Sequence, residues 1–375
     1  MKSNKVCIVT AARSEYGLLK WIIDGVYQDP ELELQLVVTG AHLSEDHGLT
    51  YRFIEEDGYP ITAKVDMQLS SDDKASIVRS IGKCSEGFAD VFAQLNPDVV
   101  VVLGDRYELL PIVSAALVMG IPVAHLSGGD VTEGAIDNEV RNAVSMMSAI
   151  HFPGVESSAE NLRRMLGDNA QIFTAGEPGL ESFLRFELMS REELAENLQL
   201  DINKKWCLVT LHPETKLGLE ENLNMVKNLF EAMRETEGVQ FVISKANADF
   251  GGMQINEFWD NAVRQDRDMF KLYSSLGQRR YLSFMRQAAG VIGNSSSGIV
   301  EAPFLGIPVV NIGDRQKGRH LCKNVIQSDR DFTSIEDAFS KMLMQPKIVD
   351  TYYGDGHTST FVIEKLKAWL NTRKA

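Results

Sequence analysis

Six short stretches of this 375-residue chain combine residue types that can hold an anion or move a proton. The first, Thr10-Ala-Ala-Arg13-Ser-Glu-Tyr16-Gly17, turns from an apolar run into a helical pattern. There a guanidinium and the first amides of a helix could meet an anion, and a salt-bridging turn arginine accounts for it equally well. Gly104-Asp105-Arg106-Tyr107-Glu108 follows four consecutive valines, so Asp105 and Arg106 are either an ion pair closing a buried strand or a pair of site residues. Asp105 would also serve as an N-cap. The loop from Ser127 to Arg141 carries Gly128, Gly129, Asp130, Glu133, Asp137 and Glu139. Crowded carboxylates raise one another's pKa values, which proton transfer near neutral pH requires. A solvated helix start explains Glu133 and Glu139 better than Asp130 and Asp137. His212, in His212-Pro213-Glu214-Thr215, could donate to a phosphate, carry a proton or simply be structural.

The richest stretch is Gly293-Asn294-Ser295-Ser296-Ser297-Gly298, with Glu301 in the turn that follows. Serine hydroxyls and amides at a helix start can cradle an anion without net positive charge, and an acid in the first turns of that helix can accept from ribose hydroxyls. Arg315 and Arg319, in Gly313-Asp-Arg315-Gln-Lys-Gly-Arg319, could neutralise phosphate. The combination favours a nucleoside diphosphate over a plain Ser-rich N-cap. No GxxxxGK[ST] pattern is present, which argues against a P-loop ATPase.

All six stretches follow short Val- and Ile-rich runs. Residues 5–10, 34–39, 99–103, 122–125 and 172–175 form one set of expected strands; residues 206–211, 240–244, 290–292 and 308–312 form a second. Strands alternating with helical patterns predict parallel sheets covered on both faces, with functional loops at the strands' carboxyl ends. Glu177-Pro178-Gly179 and the charged stretch 190–205 separate the sets. The expected domains are therefore residues 1–178, 179–355 and a terminal amphipathic helix over 356–375 that packs back on the first domain. Net charge is −14, so no global field draws the chain to nucleic acid or anionic lipid, and any bound phosphate must be held locally. The uncharged turn-rich stretch 109–129 reads as a buried helix and strand, and Arg13 and Glu15 cut short any signal-like N-terminal run. Four scattered cysteines with no CxxC or His-spaced grouping predict neither a zinc site nor a disulfide framework. The expectation is a cytoplasmic protein without metal or cofactor, and a homodimer or homotetramer.

Taken in order, Gly104-Asp-Arg106, Gly128-Gly-Asp130, Thr132-Glu-Gly-Ala-Ile-Asp137, His212-Pro-Glu-Thr215, Gly293-Asn-Ser-Ser-Ser-Gly298 and Gly313-Asp-Arg-Gln-Lys-Gly-Arg319 resemble the motif series of hydrolysing UDP-N-acetylglucosamine 2-epimerases of bacterial sialic-acid and legionaminic-acid pathways. The resemblance implies an α/β protein of the GT-B class: two Rossmann-like domains with a UDP-sugar in the cleft between them. It implies Arg13 and His212 on the diphosphate with Ser295, Ser296 and Arg315, Glu301 on the ribose and the Tyr281 region facing uracil. It also implies catalytic roles for Asp105 and Asp137. Two positions depart from the pattern: Ser127 stands where many members carry Glu, and Asn142 where the family usually has His. Asp130 is the nearest candidate to take over from that Glu.

In the family's reaction a base removes the sugar's C2 proton while UDP leaves C1, and water then adds to the resulting glycal. The expectation is that Asp105 and Asp137 form the acid/base pair, with Asp130 assisting and Arg106 orienting. UDP-N-acetylglucosamine is the first-choice substrate. UDP-2,4-diacetamido-2,4,6-trideoxyglucose is the alternative, suggested by the loop over residues 132–137. A GT-B glycosyltransferase and a binder that has lost catalysis are the rival classes.

Overall fold

The computed structural model describes residues 3–69, 73–131, 136–214, 216–246 and 251–373. Their Val- and Ile-rich runs pair as parallel strands in two separate sheets. The first is built from β1 (Asn4–Thr10), β2 (Leu32–Thr39), β3 (Ile61–Val65), β4 (Val99–Leu103), β5 (Val123–Leu126), β6 (Ile150–Phe152) and β7 (Gln171–Ile172), in the order β3-β2-β1-β4-β5-β6-β7. The second is built from β8 (Lys205–Thr210), β9 (Val239–Ser244), β10 (Phe270–Tyr273), β11 (Gly290–Gly293), β12 (Val309–Ile312) and β13 (Val325–Ser328), in the order β10-β9-β8-β11-β12-β13. Each sheet reverses its winding direction beside its first strand, between β1 and β4 and between β8 and β11. In an open α/β sheet such a switch point leaves a crevice at the carboxyl ends.

The β4 valines show why the runs are unbroken rather than alternating. Val99 and Val101 pack on one face with the helix Arg13–Gln28, while Val100 and Val102 pack on the other with Phe88, Phe92 and Ile112. A strand covered on both faces has no position for a polar side chain. In the second sheet Trp206 and Leu208 of β8 face one core, and Cys207 and Val209 the other.

The chain divides into one unit that runs to Glu181 and takes in the residues from Gly354 onward, and a second unit, Ser182–Tyr353. The terminal helix Thr358–Thr372 belongs to the first: Val362, Leu366 and Leu370 are buried in the same core as Ile22 and Ile23 of the helix Arg13–Gln28. Glu181 anchors the start of the terminal helix, its carboxylate accepting from the Ser359 N–H (2.8 Å) and hydroxyl (2.6 Å).

Four strands, β3, β6, β10 and β13, lie outside the runs expected from sequence. Three of them are sheet edges, where a strand needs less apolar character; β3 alternates between partly exposed and exposed residues up to a buried Val65. β6 has only three residues, too few to show a period. The stretch after Glu108 forms the helix Leu109–Val118 and then β5, and among the described residues no helix is long and apolar enough to cross a membrane. All four cysteines are buried, and burial pushes each thiol up to about 12, so none is a ready nucleophile.

Candidate active site

In the first unit the carboxyl ends of β1, β4 and β5 lie side by side. The loops leaving them carry Arg13, Asp105, Arg106 and Asp130, and Asp137 opens the helix Asp137–Met146 just beyond. Arg13 is exposed at the first turn of its helix, its guanidinium 4.3 Å from the centre of the Phe53 ring. Arg141 is the residue that ties the acids together. It forms an ion pair with Asp105 and donates to the Asp130 carbonyl (2.9 Å), and it is itself only 5% exposed. Arg141 lies outside the set of site residues expected from sequence. Its signal was a lone cation four residues after Asp137, between the apolar positions Val140 and Val144.

The two expected catalytic acids thus stand in different surroundings. Asp105 sits in an ion pair, whereas the Asp137 carboxyl is raised above the ordinary aspartate value, first by burial and then by the charge of Asp105. Arg141 and Arg106 pull it part of the way back. A raised carboxyl can serve as the acid while an ion-paired neighbour serves as the base. Asp130 is more committed: its carboxylate accepts from the Ser158 hydroxyl while its carbonyl holds Arg141. Gly129 makes that contact possible. Its φ is +84°, and a Cβ there would lie 2.2 Å from the Ser158 carbonyl oxygen. Ser127 also adopts a left-handed backbone (φ +58°), with its N–H on the Phe152 carbonyl (3.0 Å). Asn142, the other departure, is partly buried beside Arg141. Residues 132–135, including Glu133, lie outside the described residues.

Beneath this edge is a layer of buried polar groups. Arg106 forms an ion pair with the fully buried Glu108. Glu15, which accepts from the Ala11 N–H (2.5 Å), is pushed up to about 7 by burial, against the pull of that N–H and of Arg106. His42 is pushed down to about 4 and His125 to about 3, both by burial. His125 spans from the Gly104 carbonyl (2.8 Å) to the Ser145 hydroxyl (3.0 Å). A carbonyl can only accept, so Nε2 carries the proton and Nδ1 accepts from Ser145. Both histidines are therefore neutral spacers at neutral pH rather than proton carriers.

In the second unit β8, β11 and β12 are neighbours, and their loops bring His212, Ser295, Ser296 and Arg315 to one edge. Ser295 caps the helix Ser296–Phe304, and its hydroxyl also accepts from Ser297 Oγ (3.2 Å). Ser296 is exposed at the first helical position. The Tyr281 hydroxyl bonds Ser297 Oγ at 2.5 Å, so Tyr281 braces the serine turn. Burial lifts Glu301 to about 7, a carboxyl able to both donate and accept near neutral pH. Gly293 lets the strand leave the sheet at φ +138°; a Cβ there would meet the Thr210 carbonyl oxygen at 2.0 Å.

Two side chains absent from the sequence-based set organise this edge. Asn294, fully buried, accepts from the His212 N–H and donates to the His212 carbonyl, each at 2.8 Å. Its own carbonyl accepts from Arg315 Nη1 (3.2 Å) and Gln316 Nε2 (2.9 Å). Glu214 receives both Arg330 (2.7 Å) and the Asp314 N–H (3.0 Å), which fixes the turn leading into Arg315. Thr215 lies outside the described residues. Nothing in residue type distinguishes such clamps from solvated polar residues until their partners, some 80–116 positions away, are in place. Among the described residues no group of three or more His, Cys, Asp or Glu could hold a metal ion.

Residues 25–367 match the family model for UDP-N-acetylglucosamine 2-epimerase. The chain is 38% identical over 342 residues to the GDP/UDP-N,N'-diacetylbacillosamine 2-epimerase (hydrolyzing) of Campylobacter jejuni, covering 91% of this chain and 88% of the relative. It is 32% identical to the UDP-N,N'-diacetylbacillosamine 2-epimerase (hydrolyzing) of Legionella pneumophila, covering 97% and 96%. The fold is similar to that of UDP-GlcNAc 2-epimerase from Neisseria meningitidis bound to UDP-GlcNAc, with a TM-score of 0.77 at 17% identity, covering 97% of this chain and all of the other.

Proposed function

The chain belongs to the UDP-N-acetylglucosamine 2-epimerase family, and on that premise we propose that it is a hydrolysing 2-epimerase of a UDP-linked 2-acetamido sugar. The observation that carries the proposal is the coupled pair Asp105 and Asp137 around Arg141. A glycosyltransferase would need no such pair beside the reacting sugar. Asp105 takes the C2 proton as the C1–O bond to UDP breaks, leaving a 1,2-unsaturated sugar. Water then adds its hydroxyl to C1 as Asp137 delivers a proton to C2 from the opposite face; the proton lost by the water restores Asp137, and the proton held by Asp105 passes to solvent. The products are UDP and the free 2-epimer, and no electrons change hands.

A sugar C2 proton is weakly acidic, so stabilising the departing diphosphate supplies much of the barrier lowering. Arg13, His212, Ser295, Ser296 and Arg315 are assigned to that task, Glu301 to the ribose hydroxyls and the Tyr281 region to the base. Arg106, held by Glu108, orients the sugar, and Asp130 assists through the carbonyl that holds Arg141.

For the substrate, the names of the two relatives above favour UDP-N,N'-diacetylbacillosamine, the 2,4-diacetamido-2,4,6-trideoxy sugar. UDP-N-acetylglucosamine, first choice on the motifs alone, becomes the comparison substrate. The test is side-by-side turnover of both in deuterated water. Release of UDP with one deuterium at C2 of the freed sugar, faster from the diacetamido substrate, is expected. Release without deuterium would overturn the mechanism; faster turnover of UDP-N-acetylglucosamine would overturn the substrate assignment.

A further inference from the structure

We infer that Asn294 is a positioning residue that sets His212 and Arg315 at the spacing a diphosphate requires. The inference rests on the nucleotide-binding reading of this edge. β8 and β11 pair in parallel up to Thr210 and Gly293, and one further ladder bond joins the Asn294 N–H to the Thr210 carbonyl (3.2 Å). The backbones then part. At that point the Asn294 side-chain amide takes the place of the next peptide, bonding the His212 N–H and carbonyl at 2.8 Å each. A primary amide has the donor and acceptor that a peptide presents to a neighbouring strand, so the ladder continues through a side chain while the main chain turns away into the serine cradle.

The Asn294 carbonyl is freed by the same turn and accepts from the next loop, through Arg315 Nη1 and Gln316 Nε2. One fully buried residue therefore joins two loops: the loop after β8 by its side chain and the loop after β12 by its carbonyl. At 0% exposure it has no surface with which to touch a ligand. Aspartate would present two acceptors to a carbonyl, serine could reach neither group of His212, and leucine would leave both unmet in a dry site.

The consequence is selective. Loss of the clamp should loosen only groups that grip phosphate and leave the base and ribose contacts alone. The test is calorimetric titration of UDP and of uridine into wild type, Asn294→Ser, His212→Ala and the double variant. Wild type that binds no UDP would defeat the nucleotide reading itself, separately from this inference. With UDP bound by wild type, Asn294→Ser is expected to weaken UDP about tenfold, the worth of a hydrogen-bonded pair, and to leave uridine within about twofold. In the His212→Ala background the same substitution should cost markedly less, because part of its effect passes through His212. Equal weakening of UDP and uridine, full additivity in the cycle, or unchanged UDP affinity would each overturn the inference. If Asn294→Ser does not fold, Asn294→Thr, whose hydroxyl retains a polar group at the site, carries the same comparison.

Discussion

Asp105 and Asp137 both feel Arg141, and they feel it differently. Asp105 is paired with it directly, while for Asp137 the arginine only offsets part of what burial and the Asp105 charge impose. Replacing Asp105 by Asn should lower kcat by about 10²- to 10⁴-fold, the range for loss of a general base, with UDP affinity unchanged; steady-state turnover with calorimetric UDP binding checks both. The same substitution removes the charge that raises Asp137 and releases Arg141 toward it. Asp137 should then titrate lower than in wild type, which carboxyl-carbon NMR would show, and an unmoved titration would mean the two acids are not coupled. Because the raised value keeps Asp137 protonated to higher pH than an ordinary aspartate, kcat should fall on the alkaline side as that proton is lost. Any stability the proton contributes is present at low pH and lost as pH rises through the raised value.

The elements place these residues by closing on them without side chains. Gly129 and Gly293 each combine a positive φ with a backbone carbonyl where a Cβ would go. Gly129→Ala must push the loop off Ser158 and take the Asp130 carbonyl away from Arg141. A loss of about 1–3 kcal/mol in denaturant unfolding is expected, with a fall in kcat. Gly293→Ala should cost as much stability but show its functional effect in UDP affinity. The turn from β1 into its helix is held by Glu15 instead, a buried carboxylate on the Ala11 N–H. Its folded value near 7 lies above the unfolded 4.5, so the folded state binds the extra proton between them. The stability this contributes is complete below about 4.5 and lost as pH rises through about 7. Glu15→Gln keeps an acceptor for Ala11 and carries no charge. Its stability relative to wild type should therefore improve from pH 5 to pH 8 by roughly 1–3 kcal/mol, and a pH-independent difference would contradict the assignment.

At the scale of the molecule, the surplus of acid coexists with an edge in each unit where arginine, histidine and helix amides gather. The last helix contributes to only one unit. Ending the chain before Thr358 would expose the surfaces covered by Val362, Leu366 and Leu370 and leave Glu181 without its Ser359 partner, at a cost of several kcal/mol. Hydrogen exchange should then rise across β1, β2 and β4 while β8, β9 and β11 keep their protection; a uniform rise would place the helix in both cores. The class of fold and most of the candidate residues were legible in the chain because strands buried on both faces leave uninterrupted Val and Ile runs, and the polar motifs stand at their ends. Half-exposed edges such as β3 and β13 left no comparable run. The sequence by itself determined the two parallel α/β sheets and set carboxylates at the strand ends of one and a serine-rich helix start at a strand end of the other. Only the tertiary structure decided that Arg141 joins Asp105 to Asp130, that Glu108 holds Arg106, and that Asn294 clamps His212. The Arg141–Asp105 and Asn294–His212 contacts join residues 36 and 82 positions apart, brought together by the strands each sheet sets side by side, and the short-range Arg106–Glu108 pair depends on the fold burying Glu108.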